Sequence, residues 1–382
     1  MTRPRILCIS FSDISSDSRV LRQLDVLQEM GDVTTLSYGP KPDGVEGHLQ
    51  IPMDLPSLPQ TPVGVMNLAL RRFRAVEFQA PAVKAALDLV QGHSFDIVVA
   101  NEARALPLAY RVEGAPRIWC DLHEWAPEER THVLSWRLLV APFMDWLCAR
   151  YLPRADATTT VNTSIARMYE ERYGIEPEIV RNARPFVAAL APTPLAPGAI
   201  RLVHSGGAVP GRNIESIIDA VDLLGDGYTL DLFLIPSRQA DAYWKQITAR
   251  IANSPRTTLH DAVAPDDLPV ALNPYDLGVY LLPPHTPNHR LMLPNKFFDF
   301  VQARLGFVFG PSTETDRLII ENGLGVVTAG YSATDLAEAI RALSREEIAG
   351  FKAATDAVAE EMSSDVDLEV ERNILRRLQQ PA

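Results

Sequence analysis

Apolar and polar residues follow one another along this chain in a pattern that predicts strands and helices in regular succession. The short apolar run Arg5–Ser10 predicts a strand, and Arg19–Met30 carries apolar residues at helical spacing before Gly31. A second apolar run, Val33–Tyr38, completes a strand–helix–strand unit. Alternation of this kind predicts a mostly parallel, doubly wound sheet.

The same alternation continues through the first half of the chain. Further strands are predicted at Phe95–Ala100, Arg117–Cys120 and Ala157–Val161, and helices at Ala80–Val90, Leu106–Val112 and Ser164–Tyr173. Between Pro185 and Gly198 the chain becomes rich in Ala and Pro and loses its periodicity, which is typical of a linker.

The pattern starts again at Ile200. Strands are predicted at Ile200–His204, Thr229–Ile235, Thr257–His260, Leu277–Leu282, Gly306–Phe309 and Gly325–Thr328, and helices at Ile214–Leu223, Ala240–Ile251, Thr315–Asn322 and Thr334–Leu343. The predicted fold class is α/β, with two doubly wound, Rossmann-like domains facing across a cleft. We expect an N-terminal acceptor-side domain over residues 1–185, a linker over 186–199, a second domain over 200–345, and a C-terminal helical segment over 346–382 that packs back toward the first domain.

Composition narrows the possible functions. A length of 382 residues suits two domains, and a formal net charge of -12 argues against nucleic acid as the main partner. Cys8, Cys120 and Cys148 are unevenly spaced, which indicates buried thiols in a reducing compartment. The N-terminus enters a strand pattern at once, so the cytoplasm is expected. The apolar segment Leu134–Leu152 is interrupted by charges and predicts a buried or interfacial helix.

The segment after the predicted strand Leu277–Leu282 has the features of an anion site. Pro294 suits the start of a helix, and the backbone amides of Leu293 and Asn295 lie beside it, where the helix dipole favours a diphosphate. Lys296 adds a positive charge, and Asp299 is placed to bind ribose hydroxyls. The alternative is an ordinary capped surface helix.

A glycine-rich turn follows the first strand of the second domain. Gly206 and Gly207 permit close backbone approach, and Arg212 can bind diphosphate oxygens with its planar guanidinium. Such turns also simply connect strands to helices. Two phosphate-directed elements in one domain make the binding hypothesis the stronger one.

Candidates in the first domain also follow predicted strands. His123 follows one such strand and can contact a sugar hydroxyl, with Asp121 or Glu124 orienting the ring. The alternative is a helix-capping Asp beside a surface His. Asp17 and Arg19 open the first helix, where Asp17 can equally be a simple N-cap.

No metal site is predicted. His285 and His289 have a spacing that suits a metal on a helix, but Pro287 between them excludes a regular helix. Asp365 and Asp367 form an Asp-x-Asp pair in the C-terminal tail, not after a buried strand, and are interpreted as solvated charge.

One segment predicts contact with a membrane surface. Residues 63–70 are largely apolar, and Arg71, Arg72 and Arg74 follow with Phe73 in an otherwise acidic chain. This combination suits a helix lying on an anionic membrane. The alternative is an amphipathic helix whose arginines face water.

Several of these segments together resemble the GT-B-fold glycosyltransferases, specifically those of the glycosyltransferase family 4 type. The resemblance runs over nearly the whole chain. The segments that carry it are Ser16–Leu21, Ala100–Asn101, Asp121–Glu124, Thr160–Asn162, Val180–Ala183, Ser205–Arg212 and Leu293–Asp299.

The resemblance implies a glycosyltransferase that moves a sugar from a nucleotide diphosphate donor to a glycan or lipid-linked acceptor, as in polysaccharide biosynthesis, at the cytoplasmic face of the membrane. Retention of configuration and independence from metal are implied, with no other cofactor. The implied catalytic residues are His123, Arg212 and Lys296; the donor-binding residues Gly206, Gly207, Leu293, Pro294, Asn295 and Asp299; and the acceptor-side residues Asp17, Arg19, Asn101, Asp121, Glu124, Asn162 and Asn182. A nucleotide-sugar epimerase or a non-catalytic nucleotide-sugar-binding module of the same fold is the alternative.

The chain departs from the family pattern at the donor site. Many relatives carry Glu at the position of Asp299, whose reach is one methylene shorter, and a carboxylate at the position of Leu291. Many also carry Arg and Lys around the glycine-rich turn, where this chain has Gly207 and Arg212.

Overall fold

The computed structural model of the protein describes residues 3–237 and 240–380. The chain divides into two compact units. Unit 1 contains the chain up to Arg181 and again from Asp367 onward, and unit 2 is Asn182–Val366. The Ala/Pro-rich segment 186–199, predicted to be a linker, therefore falls within unit 2.

Unit 1 is built on a parallel sheet whose seven described strands have the order β3-β2-β1-β4-β5-β6-β7. The strands are β1 (Arg5–Asp13), β2 (Asp32–Tyr38), β3 (Gly47–Gln50), β4 (Ile97–Asn101), β5 (Arg117–Leu122), β6 (Ala157–Thr160) and β7 (Glu178–Ile179). The helices are α1 (Ser18–Met30), α2 (Pro62–Ala69), α3 (Phe73–Val76), α4 (Pro81–Val90), α5 (Leu106–Ala109), α6 (Ala141–Tyr151) and α7 (Thr163–Tyr173). This is the predicted doubly wound topology, with the strand order reversing between β1 and β4.

Unit 2 repeats the architecture with a parallel sheet of the order β10-β9-β8-β11-β12-β13 among its described residues. Its strands are β8 (Ile200–Ala208), β9 (Tyr228–Pro236), β10 (Thr257–His260), β11 (Leu277–Tyr280), β12 (Gly306–Phe309) and β13 (Gly325–Val327). The helices are α8 (Ile214–Leu224), α9 (Asp241–Ala252), α10 (Leu268–Leu272), α11 (Pro287–Leu291), α12 (Asn295–Gln302), α13 (Thr313–Glu321), α14 (Ala333–Arg341) and α15 (Arg345–Val358). The predicted α/β fold class is confirmed.

The last helix, α16 (Ser364–Leu378), belongs mostly to unit 1. Ile374 and Leu375 are fully buried in the same core as Ile6 of β1 and Leu24 of α1. Asp367 at the start of this return is buried, and Arg181 Nε donates to its carboxylate at 3.0 Å. The interpretation of Asp367 as solvated charge is therefore wrong, because the helix inserts this residue into unit 1.

Aromatic packing fixes α12 on its sheet. Phe297 and Phe300 pack edge-to-face against Phe307 of β12, with ring centroids 5.2 and 6.0 Å apart. The Phe300 ring lies so close to β11 that a Cβ on Gly278 would come within 2.3 Å of it. A glycine is needed there, and the contact packs the body of α12 closely against β11.

Two predicted helices differ from the observed structure. The segment Leu134–Leu152 forms a π-helical turn, Trp136–Val140, before α6 begins. The apolar and basic segment is not one helix, because α2 ends at Ala69 and Arg71 has a φ of 56°. The three cysteines are buried free thiols, as predicted. None of the helices in the described ranges is both long and apolar enough to cross a membrane.

Candidate functional site

The strand order of unit 2 reverses between β8 and β11, and ligands of doubly wound sheets bind outside the carboxyl ends of strands at such a point. β8 pairs with β11 only through Leu202 and Val203, so the strand end that carries Gly206 and Gly207 extends past this pairing. The predicted donor-site segments therefore follow the two strands that flank the crevice.

Gly206 brings the two predicted phosphate-binding cations together. Its φ is 139°, and a Cβ there would lie 2.9 Å from Lys296 Cε and 3.8 Å from Arg212 Nη1. The neighbouring His204 is buried, and burial, followed by the positive charges of Lys296 and Arg212, lowers its pKa to about 4 against a raising effect of its hydrogen bond to Val279. Two positive charges therefore converge over a strand end that has no side chain.

Asp299 lies between two cations. It is fully buried, and its carboxylate accepts from Arg184 Nε at 2.6 Å and from Lys296 Nζ at 2.7 Å. Ribose binding by Asp299 stays a prediction, and each oxygen already has one partner. Sequence reasoning missed Arg184, whose only signal was its position two residues after the family-like Asn182.

The start of α12 differs slightly from the prediction. Pro294 is the N-cap and the helix begins at Asn295, so the free amides of its first turn start at Asn295, while Leu293 is half-buried before it. Asn182 Nδ2 donates to Asn295 Oδ1 at 2.9 Å. Asn182 was expected among the acceptor-side residues, but it lies in unit 2, where it contacts Asn295 of α12.

In unit 1, Asp121 at the end of β5 forms a buried ion pair with Arg19. Arg19 donates to its carboxylate through Nε at 2.8 Å and Nη2 at 2.6 Å, and Thr159 Oγ1 donates at 2.7 Å. Burial alone would raise the pKa of Asp121, but Arg19 and His123 hold it far below its usual range. Both predicted acceptor-side residues are thus engaged inside the unit.

His123 is held by three side chains from the carboxyl ends of β4 and β5. Its Nδ1 lies 3.3 Å from Glu102 Oε1, and its Nε2 lies 3.2 Å from both Asp121 Oδ2 and Asn101 Oδ1. Burial lowers the pKa of His123, but the charges of Glu102 and Asp121 outweigh it and raise the pKa overall. The His123 ring is therefore held between the carboxylates of Glu102 and Asp121.

Glu102, which sequence reasoning missed, takes the orienting role predicted for Glu124. No contact between the Glu124 side chain and His123 is among the hydrogen bonds and ion pairs of the described residues. Burial, then the charges of Glu102 and Glu129, raise the pKa of Glu124 to about 9. The backbone of Glu102 has a φ of 74° and a ψ of 149°, a conformation that non-glycine residues rarely adopt and that often marks functional sites.

Two other predicted residues act as helix caps. Asp17 accepts from the backbone amide of Val20 at 3.3 Å at the start of α1, and Asn162 accepts from that of Ile165 at 2.9 Å at the start of α7. These two hydrogen bonds stabilise the first turns of α1 and α7. Across the described ranges there is no group of three or more His, Cys, Asp or Glu residues placed to hold a metal ion, and the rings of His285 and His289 are 6.3 Å apart.

Comparison with known proteins agrees with this architecture. Residues 21–185 match the sequence model of Glycosyltransferase Family 4. The fold is similar to that of Anabaena HepE in complex with UDP-glucose, with a TM-score of 0.69 and 14% identity over 98% of this chain and 100% of that chain. A sequence comparison with curated proteins gives no match.

Two further solved structures share the fold. Sucrose-phosphate synthase from Thermosynechococcus elongatus has a TM-score of 0.70 and 11% identity, covering 98% of this chain and 99% of that chain. A UDP-forming trehalose-phosphate synthase from Burkholderia xenovorans has a TM-score of 0.67 and 13% identity, with complete coverage of both chains.

The fold is that of the GT-B class, which the similar solved glycosyltransferases share. The particular resemblance predicted from the sequence, to glycosyltransferase family 4, is confirmed by the match over residues 21–185.

We expect Glu102→Gln to lower the pKa of His123, because the substitution removes the negative charge nearest Nδ1. The pKa of His123 is higher in the folded protein than the unfolded value of 6.5. Protonation of His123 therefore stabilises the fold fully below pH 6.5, and this stabilisation is lost as the pH rises through the pKa of the folded protein. Titration of the His123 ring by NMR measures the shift. Glu124→Gln is the matched control, because no hydrogen bond or ion pair joins the Glu124 side chain to His123 among the described residues and burial raises the pKa of Glu124. An unchanged His123 pKa in Glu102→Gln would contradict the assignment.

Proposed function

We propose that the protein transfers a sugar from a nucleoside diphosphate sugar to a glycan or lipid-linked acceptor. The observation that carries the proposal is the convergence of Arg212 and Lys296 over Gly206 at the reversal point of the unit 2 sheet. HepE, whose fold this chain shares, is described in complex with UDP-glucose, which supports a uridine diphosphate donor.

In this proposal the charges of unit 2 take part in leaving-group departure. Arg212, Lys296 and the first amides of α12 stabilise the negative charge that develops on the diphosphate, a role that a divalent metal has in other enzymes. In the proposal, Asp299 accepts ribose hydroxyls when the diphosphate draws Lys296 away from its carboxylate, while Arg184 keeps the carboxylate in place. Metal independence and retention of anomeric configuration belong to the same proposal and rest on the family resemblance.

Unit 1 is proposed to bind the acceptor at the membrane surface on the cytoplasmic side. Val63, Met66 and Leu70 of the α2 region are each more than half exposed, so the apolar side chains themselves face solvent. Leu138 is also exposed, and its carbonyl accepts from Arg71 Nη1 at 3.0 Å. Exposed apolar side chains beside arginines are suited to an anionic membrane surface.

We expect Arg212→Ala and Lys296→Ala each to weaken binding of uridine diphosphate by about tenfold to a hundredfold. Loss of one charge-assisted hydrogen bond costs roughly 1.5 to 3 kcal/mol. Isothermal titration calorimetry measures the affinity. Arg317→Ala, an exposed position on α13, is the matched control and should bind normally. Unchanged affinity in both site variants would remove the phosphate-site assignment.

His123 is expected to act in transfer and not in nucleotide binding, because it lies in unit 1 while the diphosphate cations lie in unit 2. His123→Ala should lower turnover by about a hundredfold or more and keep near-normal diphosphate affinity. Transfer from uridine diphosphate sugars is measured with EDTA present, and NMR of the product gives its anomeric configuration. Normal turnover in the variant, a requirement for added metal, or donor epimerisation without transfer would each refute the corresponding part of the proposal.

The membrane role predicts that the protein sediments with anionic liposomes at low salt and that replacing Arg71, Arg72 and Arg74 by Gln abolishes this binding. Salt should weaken the association, since exposed charges are screened. A matched control replaces Arg317, Arg341 and Arg345 of unit 2, which lie outside the α2 region. Absence of sedimentation, or equal binding by the triple variant, would favour an acceptor that is free in solution.

A further inference from the structure

Gln23 of α1 and Glu371 of α16 are buried polar side chains of unit 1 whose hydrogen bonds are incomplete. Their exposed fractions are 1% and 2%. Among the residues that the structure describes, Gln23 Nε2 and Glu371 Oε2 are buried without a hydrogen-bond partner, although buried polar atoms normally have one. One of these atoms is a donor and the other can accept, so the two side chains are complementary.

The two side chains lie close to each other. Burial, followed by the charge of Asp121, raises the pKa of Glu371 to about 8. Arg19 lowers this pKa, and so does the amide of Gln23, which must therefore be near the carboxyl group. Arg19 and Asp121 are paired with each other, and Asp367, the other charged neighbour, has its own arginine partner. The Gln23 amide is thus the donor that remains for Glu371.

The oxygen of the Gln23 amide connects this pair to His123 through Asn101. Asn101 Nδ2 donates to Gln23 Oε1 at 3.1 Å and to Cys8 Sγ at 3.4 Å. Both hydrogens of the Asn101 amide therefore have acceptors. Its oxygen, Oδ1, faces His123, whose Nε2 lies 3.2 Å away. Asn101 presents an acceptor to the His123 ring only in this orientation.

The orientation of each amide depends on the next one. Reversing an amide group exchanges its oxygen and its nitrogen with little change of shape. A reversed Gln23 would turn its NH2 group toward the NH2 group of Asn101, and two donors do not bond. Asn101 would then be favoured in the reversed orientation as well, with its NH2 group toward His123 Nε2. This ring nitrogen lies 3.2 Å from Asp121 Oδ2, to which it donates, so a second donor there would displace the ring.

We propose that Glu371 and Gln23 are positioning residues for His123: Glu371 accepts from Gln23 Nε2, and this contact fixes the amide orientations that present Asn101 Oδ1 to the ring. A carboxyl group has an acceptor oxygen in both of its protonation states, so the contact does not depend on ionisation of Glu371. The inference rests on the proposed function, in which His123 acts in transfer. The last helix of the chain thereby influences the ring through two intervening amides.

A comparison of Glu371→Leu with Glu371→Gln tests the proposal by NMR titration of the His123 ring in the full chain. Leu cannot accept from Gln23, so the His123 pKa should fall by roughly 0.5 to 1, the effect of losing one neutral hydrogen bond to a protonated ring. Gln has the shape of Glu and keeps an acceptor oxygen, so Glu371→Gln should leave the pKa unchanged. Glu369→Gln, which removes a half-exposed carboxylate from α16, is the matched control with no change expected.

A second pair of variants tests whether the effect passes through Gln23. Gln23→Leu should lower the His123 pKa by a similar amount, and adding Glu371→Leu should cause no further change, because both substitutions break the same chain of contacts. An unchanged pKa in Glu371→Leu, an equal fall in Glu371→Gln, or a further fall in the double variant would overturn the proposal. Thermal melting of each variant verifies the folded state.

Kinetics separate positioning of His123 from nucleotide binding. In Glu371→Leu, kcat for transfer from a uridine diphosphate sugar should fall about tenfold, as for a slightly misplaced catalytic group, while KM for the donor stays unchanged. A raised donor KM with an unchanged kcat would contradict a role through His123. The NMR titration is made on the free protein, so it tests the chain of contacts even if His123→Ala keeps normal turnover and the proposed function fails.

Discussion

The buried ion pair between Arg19 and Asp121 is the interaction on which the organisation of unit 1 depends. It joins the start of α1 to the end of β5, and Arg19 Nη1 also donates to the carbonyl of Val180 at 2.8 Å. Removing charges from water is costly, and breaking such a pair by deleting one partner typically costs about 3–5 kcal/mol. The two hydrogen bonds from Arg19 and the one from the Thr159 hydroxyl offset the cost of burying these charges, and the charge of Asp121 contributes to the raised pKa of His123. Glu371 of α16 is buried nearby, and burial, followed by the Asp121 charge, raises its pKa to about 8. The C-terminal helix α16 therefore places a further buried carboxyl group next to Asp121 in the candidate acceptor site.

The site of unit 2 also holds buried charges at strand ends, but in a different arrangement. Its site concentrates positive charge over a strand end, and Asp299 supplies one buried negative charge between Arg184 and Lys296. This arrangement keeps Lys296 beside the glycine-rich strand end before any ligand arrives. A diphosphate would then compete with Asp299 for the ammonium group, and Arg184 would prevent the carboxylate from being left unpaired. Many relatives carry Glu where this chain has Asp299. A Glu side chain is one methylene longer and would have to contact Arg184 and Lys296 from a different position.

Strand and helix order could be predicted from the sequence because hydrophobic periodicity reports which face of each element is buried. The predicted helix Arg19–Met30 and strand Gly306–Phe309, for example, agree with the structure to within a residue. The site residues that follow strands were found for the same reason, since parallel sheets collect strand ends at one edge.

Glu102 and Arg184 were missed because their roles depend on side-chain contacts with residues distant in the sequence. Asp367 was misinterpreted because an Asp-x-Asp pattern in a charged helix does not show which of its side chains is turned into the core of unit 1. The break near Arg71 depends on one backbone angle, which apolar patterning does not encode.

The strained backbone conformation of Glu102 affects which amino acids selection favours at this position. Its conformation is one that glycine adopts freely and that costs other residues about 1–3 kcal/mol. Glycine at this position would relieve the strain and remove the carboxylate that holds His123. With the role proposed for His123 in transfer, selection for stability alone and selection for activity would therefore favour different residues at position 102. A library of variants sorted first by thermal tolerance would be enriched in glycine at this codon, and the same library sorted by turnover would be depleted of it.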